Sequence, residues 1–268
     1  MVIITPFTQY MRNKPFVEKV GYTPQPAVLK ATCGDQQFSL AAGLILKILF
    51  YYGTLVEKKI TDHRLPPDHE TMYRNVVTAT RLDPYNMDSY YFAQAMAWDF
   101  KNIRETNALL EYGIQYRSWD FYLPFFAGFN YGYFLKDYGK AAFYFQKAQT
   151  LSGADIFGRL ASRYLYEAGQ TELAIGYLET MVQGSRHPAI RQSFARRLTA
   201  LKAIRRIELA RDKFRQERGS NPPTLETLYA QGFLNKPVID PYGGQFYLDP
   251  NGMIRSTSKL AGGSNPAH

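Results

Sequence analysis

Four side chains capable of holding a metal crowd one stretch of the chain: His63, Asp68, His69 and Glu70, in and just after TDHRLPPD. Imidazole and carboxylate are ligands for zinc or a harder cation. Their spacing matches no metal motif, however, and Pro66 and Pro67 make the stretch a loop. Cys33 is the only cysteine, which excludes an internal disulfide and a multi-cysteine metal site and leaves the redox compartment open. Paired with a distant histidine it would have the thiol of a nucleophile, but no local signature accompanies it, and a lone cysteine is ordinarily small and inert. The chain contains no glycine-rich phosphate loop, no GxSxG elbow and no HExxH. The expectation is a protein without catalytic residues, metal site or cofactor.

The second kind of chemistry is electrostatic. Residues 186–218 carry eleven Lys and Arg against Glu208, Asp212 and Glu217, so this stretch holds +8 of the chain's formal charge of +9. A stripe of that kind neutralises phosphates or an anionic bilayer surface, with a steep salt dependence. The plainer alternative is a solvated outer face, or pairing with acids on neighbouring elements. Arg197, Lys202, Arg205 and Arg206 are the candidate contacts, Arg205 and Arg206 foremost. A pI near 9.4 favours acidic partners without choosing among nucleic acid, lipid and protein.

The elements that must position these groups are helical. Hydrophobic residues at 46% and charged ones at 21% suit a folded protein, and the aromatic share of 15% suits many half-exposed packing surfaces. Residues 1–26 hold four prolines without periodicity and read as an extended arm against the first helices. A helix starts near Pro26. The apolar run 38–52 contains Lys47 and falls short of the roughly 20 residues that span a bilayer, so it reads as a core helix. The first twenty residues contain no signal-peptide apolar run, and no membrane anchor is expected. After the basic 186–218 helix, which reads as a cap, Gly219 to Pro223 break the chain and Thr224 is placed to cap a short helix ending near Gly232. QFYL and MIRST flank Asp249-Pro250-Asn251-Gly252, which predicts a small hairpin. Residues 261–268 read as disordered.

Between 71 and 185 the same helical pair recurs. Thr106, Leu110 and Gly113 are followed 35 residues on by Ala141, Phe145 and Ala148, and 33 further by Ala174, Leu178 and Met181. Ala93 and Ala97, Gly128 and Gly132, and Ala161 and Leu165 keep step on the preceding helix, each pair four apart and so on one face. Met72, Val76, Ala79 and Pro84 form an earlier half-repeat. This small, bulky, small and proline pattern resembles the tetratricopeptide repeat. Departures are Ser118 and Arg186 at proline positions, Gly128 for leucine and Met181 for alanine. The resemblance implies an all-α solenoid of antiparallel helix hairpins over 27–185, with repeats near 86–118, 121–153 and 156–185, followed by the cap and the small hairpin of 219–260.

The family's inner helices line a concave groove. Here that implies a partner-binding face of Tyr91, Gln94, Trp98, Phe126, Asn130, Tyr133, Arg159 and Arg163, with Gln94, Asn130, Arg159 and Arg163 exposed, holding a peptide or subunit of another protein. Residues 30–150 also look like a group of bacterial envelope tetratricopeptide proteins, implying a pilus or secretion assembly at the periplasmic side of the inner membrane; the cytoplasm is the alternative. DPYGGQFYLDPNG is similar to the C-terminal region of type II secretion major pseudopilins, in which Asp240 or Asp249 would sit at a calcium site. The rival functional expectation is binding of nucleic acid or anionic membrane by the 186–218 helix.

Overall fold

Prolines and short polar side chains start the helices. Pro26 opens α1 (Pro26–Cys33), and Pro188 opens α10 (Pro188–Arg218), each at a position whose missing N–H has no intrahelical use. Asp68 Oδ1 accepts from Thr71 N at 3.2 Å to cap α3 (His69–Leu82). Asn86 does the same for Asp88 N in α4 (Met87–Phe100), and Asp137 for Lys140 N in α7 (Tyr138–Ser152). Between them lie α2 (Gln37–Ile60), α5 (Ile103–Tyr116), α6 (Tyr122–Asn130), α8 (Asp155–Glu167), α9 (Thr171–Gly184) and α11 (Leu225–Ala230). Thr224 stands at the N-cap of α11 as expected, but its hydroxyl meets that of Thr227 rather than a backbone N–H. A computed structural model describes residues 6, 8, 9, 19–60, 67–258 and 260, with side chains excluded at 56–60, 99 and 100. His63 and residues 261–268 lie outside the described residues, as does most of the expected arm.

The chain divides into two compact units, Met1–Leu123 and Pro124–His268, the boundary falling in the first turn of α6. In the first unit α2 packs on α3, α3 on α4 and α4 on α5. Residues 19–25 form neither helix nor strand, and Thr23, itself buried, donates to Asn75 Oδ1 at 2.7 Å on α3. Arg117 ties two loops together, donating to the Tyr85 carbonyl while pairing with Asp120 at 2.8 Å. Its partners make this arginine a strut between the loop after α3 and the loop after α5.

The small-residue positions do what their spacing requires. Met72, Val76, Ala79, Ala93, Ala97, Thr106, Leu110, Ala141, Phe145, Ala148, Ala161, Leu165, Ala174 and Leu178 are all buried. At Gly113 an added Cβ would lie 2.5 Å from the Tyr90 ring, so only glycine admits that ring. Gly132 likewise admits Tyr164, which stacks on Phe145 at 5.4 Å. Met181 is the exception, half-buried where its equivalents are covered.

In the second unit α7 packs on α8, α8 on α9 and α9 on α10. One core joins Leu165, Tyr166, Leu178, Phe194, Leu201, Ile204, Ile207 and Phe214 to Leu228, Phe246 and Ile254. The hairpin forms as expected: β1 (Phe246–Leu248) pairs antiparallel with β2 (Ile254–Ser256), Leu248 opposite Ile254, and Gly252 takes φ +76° in the turn. It is no appendage. Tyr166 donates its hydroxyl proton to the Ile254 carbonyl, and Arg255 meets Glu167 at 2.7 Å and Asp249 at 3.3 Å. The 186–218 helix is therefore covered in its turn by the segment that follows it.

Two features lie beyond any spacing argument. α6 continues as a π-type turn, Tyr131–Leu135, closed by Asp137 N donating to the Tyr131 carbonyl. Lys101 and Lys136 then end α4 and this turn in the left-handed region, at φ 56° and 55°, where glycine is usual.

Candidate functional site

α4 presents the first part of the expected groove. It buries Tyr90, Ala93, Met96 and Ala97, while Tyr91 and Trp98, seven residues apart, share a different face. Tyr91 and Trp98 are 40% and 52% exposed. The Tyr91 ring lies 6.1 Å from that of exposed Tyr122. Burial pushes the Tyr91 phenol above its ordinary pKa, and Tyr122 beside it adds to the shift. Gln94 contradicts the expectation of exposure: at 4% it belongs to the packed face, because it lies one turn from both Tyr90 and Ala97.

In the second unit the expected groove residues divide in the same manner. Tyr133 is exposed and stacks on Phe129 at 5.4 Å; Phe126 is half-buried against Phe125. Asn130 is wholly buried, again contrary to expectation, because it shares the inward face of α6 with Leu123 and Ala127. Arg159 is half-buried and paired with Asp155 one turn earlier. Arg163 is also half-buried, with its Nε enclosed and without a hydrogen-bond partner among the described residues.

The basic helix α10 is mostly a paired face. Lys202 meets Glu179 at 2.7 Å, and Arg205 meets Glu172 at 2.9 Å and Glu208 at 3.4 Å. Arg196 donates twice to the Pro241 carbonyl, and Arg211 binds Asp212 and the Gly252 carbonyl. Arg197 corrects the sequence reading outright: it is 9% exposed, so it belongs to the interior and not to a surface patch. Arg206 does face solvent. With Leu209, Ala210, Lys213, Phe233, Leu234, Asn235 and Lys236 it lines an open cavity of about 390 Å³ whose lining contains three cations and no carboxylate.

The other expected chemical groups are not assembled. Among the described residues no three His, Cys, Asp or Glu side chains converge as a metal set. Asp240 is buried and accepts from Ser256 Oγ and Tyr242 N; Asp249 accepts from Asn251 N and Met253 N in the turn. Both carboxylates hold the hairpin region in shape. Cys33 is a free thiol at the end of α1.

One exposed surface was missed by the sequence reading. α2 buries Ala41, Leu44, Ile45, Ile48, Tyr51 and Leu55, while Phe38, Leu46, Leu49 and Phe50 lie exposed along the other face. The stretch Pro26–Leu55 is long and apolar enough to cross a membrane, and only 33% of its most apolar window is buried. The core-helix reading thus holds for one face alone. The continuous apolar run was the available signal: a helix apolar all round needs cover on every side to be a core helix. No protein-family model matches the chain, and no curated protein matches it.

Proposed function

We propose that this chain is a non-catalytic interaction protein that holds an extended segment of a partner protein against the outward face of α4. One observation carries the reading: Tyr91, Trp98 and Tyr122 are large rings left substantially exposed, with Tyr91 and Tyr122 in ring contact. Stiff aromatic side chains supply much contact area at low entropic cost, which is why they dominate binding hot spots. In this reading the helical pairs stack as a tetratricopeptide-like solenoid and α4 faces its concave side. The resemblance to envelope tetratricopeptide proteins supplies the setting, a bacterial pilus or secretion assembly.

The test is site-specific photo-crosslinking in cells, with a benzophenone side chain at position 98, at 91, or at exposed Leu173 as control. The expected result is a discrete adduct at 98 and 91, weakened several-fold by Ala at the other position. Adducts of equal yield at 173, or none at 98 and 91, would sink the proposal.

A second reading has its own observation, the cation-lined cavity at Arg206, Lys213 and Lys236. It suits nucleic acid or an anionic membrane. The cavity offers at most about three phosphate contacts, one of them from Lys213, which lies 3.9 Å from Glu217, so the salt slope for nucleic acid at this site should be no steeper than about −3. Titrations at two salt concentrations decide it: no measurable affinity at low salt removes this reading.

A further inference from the structure

In the second unit the Phe194 side chain of α10 reaches α8 so closely that a Cβ at Gly158 would lie 3.1 Å from its ring. Beyond this contact each helix carries a pair of arginines, Arg159 and Arg163 on one and Arg196 and Arg197 on the other. Tyr242 lies among them, with the Arg196 guanidinium 4.7 Å from its ring centre. Two of the four are accounted for. Arg159 pairs with Asp155, and Arg196 donates to the Pro241 carbonyl at 2.9 and 2.7 Å.

Among the described residues neither Arg163 nor Arg197 forms an ion pair with a carboxylate. Arg197 is 9% exposed, and its Nη1 donates to the Leu260 carbonyl at 3.2 Å, while its Nε and Nη2 are enclosed with no acceptor among the described residues. The Nε of Arg163 is in the same condition. Of the nearby carboxylates, Glu167 is held by Arg255, and Asp240 by Ser256 and the Tyr242 amide. Residues 261–268 contain no Asp or Glu.

Other residues relieve a buried charge by losing it, but guanidinium stays protonated across the usable pH range. Burial lowers the pKa of Arg197, and the positive charge of Arg163 works in the same direction, opposed by Tyr242, Tyr166 and Glu167. Two like charges and three enclosed N–H donors therefore call for a negative acceptor, because a buried donor left unmade costs more than a made one contributes. A planar or tetrahedral oxyanion has the lone-pair geometry that guanidinium forks match.

We propose that Arg163 and Arg197 form a binding site for a small oxyanion of the phosphate or carboxylate class. The anion accepts from Nε of Arg163 and from Nε and Nη2 of Arg197, and replaces the repulsion between them with two attractions. It joins α8 to α10 near the point where Arg197 also holds the Leu260 carbonyl. Its position makes it a structural ion of the second unit, independent of the α4 face.

The experiment is thermal unfolding of the full chain in phosphate, sulfate or acetate against chloride at matched ionic strength, with the arginine Nε–Hε signals followed by NMR. A ligand of the native state raises Tm saturably, here by at least about 3 °C at high occupancy. Arg163→Gln, at a half-exposed position, is expected to melt at or above the wild-type temperature in chloride and to lose the oxyanion response. A response to phosphate and sulfate alone assigns a tetrahedral anion, and a response to acetate alone a carboxylate; either supports the site. Equal Tm in all four salts, or an undiminished response in Arg163→Gln, overturns it. Because the variant is made at half-exposed Arg163 and the Nε–Hε shifts are read on the wild type, the question is decided without altering buried Arg197.

Discussion

The helices α2 and α10 are the longest in their respective units, and they treat their side chains in opposite ways. α2 is mostly apolar, yet it leaves Phe38, Leu46, Leu49 and Phe50 exposed. α10 bears ten Lys and Arg, yet it encloses Arg197 and Glu208 together with Phe194, Leu201, Ile204, Ile207 and Phe214. The difference lies in what covers them. α2 meets α1, α3 and α4 along one face, whereas α10 is packed between α9 on one side and α11 with β2 on the other. Composition sets the cost of exposing or burying a helix face, and the neighbouring elements decide whether that cost is met.

The sharpest way to break this comparison is to shorten side chains on both helices. Leu201→Ala, at a fully buried position, is expected to lose about 2–5 kcal/mol in denaturant unfolding. Leu49→Ala should change stability by less than about 0.5 kcal/mol. A loss of more than about 2 kcal/mol at Leu49 would mean that the outer face of α2 is covered in solution. That result would end the contrast.

Glycines give the next largest effect. Gly158 faces Phe194 and the Met181 sulfur, so Gly158→Ala should overpack that contact and cost about 1–3 kcal/mol. Gly43 of α2 has open space where a Cβ would go, and Gly43→Ala should stabilise by about 0.5–1 kcal/mol through helix propensity. If Gly43→Ala destabilises instead, something packs on that face.

A smaller effect concerns Tyr177, whose hydroxyl is enclosed near α10 without a hydrogen-bond partner among the described residues. Burial pushes its phenol up to about 12. The unfolded chain ionises near pH 10, so the contribution of Tyr177 is fully present below that pH and is lost as pH rises through about 12. Tyr177→Phe should therefore be neutral to slightly stabilising at pH 7, and should flatten the fall of Tm with pH across that window. An unchanged alkaline limb would show the hydroxyl to be solvated. The smallest effect belongs to the paired surface: Lys202→Ala should cost less than about 1 kcal/mol, and less still in high salt, because Lys202 and its partner Glu179 are both exposed to solvent.

Much of the local structure was legible in the residues. The recurring small and bulky positions marked the buried faces of α3 to α9, since helix geometry alone places residues four apart on one side. The turn chemistry of Asp249 to Gly252 marked the hairpin to within a residue, because few residue types tolerate its backbone. The candidate sites were less legible. Tyr91 and Trp98 are exposed, whereas Gln94 and Asn130, the polar groove residues expected to be exposed, are buried: polarity does not say which way a helix turns.

The sequence by itself determined that the chain is mostly helical, where its helices pair and which small residues let them approach, since these follow from periodicity and steric volume within a few turns of chain. Only the tertiary structure decided that Arg197 is interior, that α10 is covered by the hairpin, and that α2 keeps an open apolar face. Those outcomes depend on contacts between residues far apart in the chain, such as Tyr166 with Ile254 and Arg255 with Glu167. Burial is a property of the neighbour as much as of the residue, and the neighbour is set by the fold.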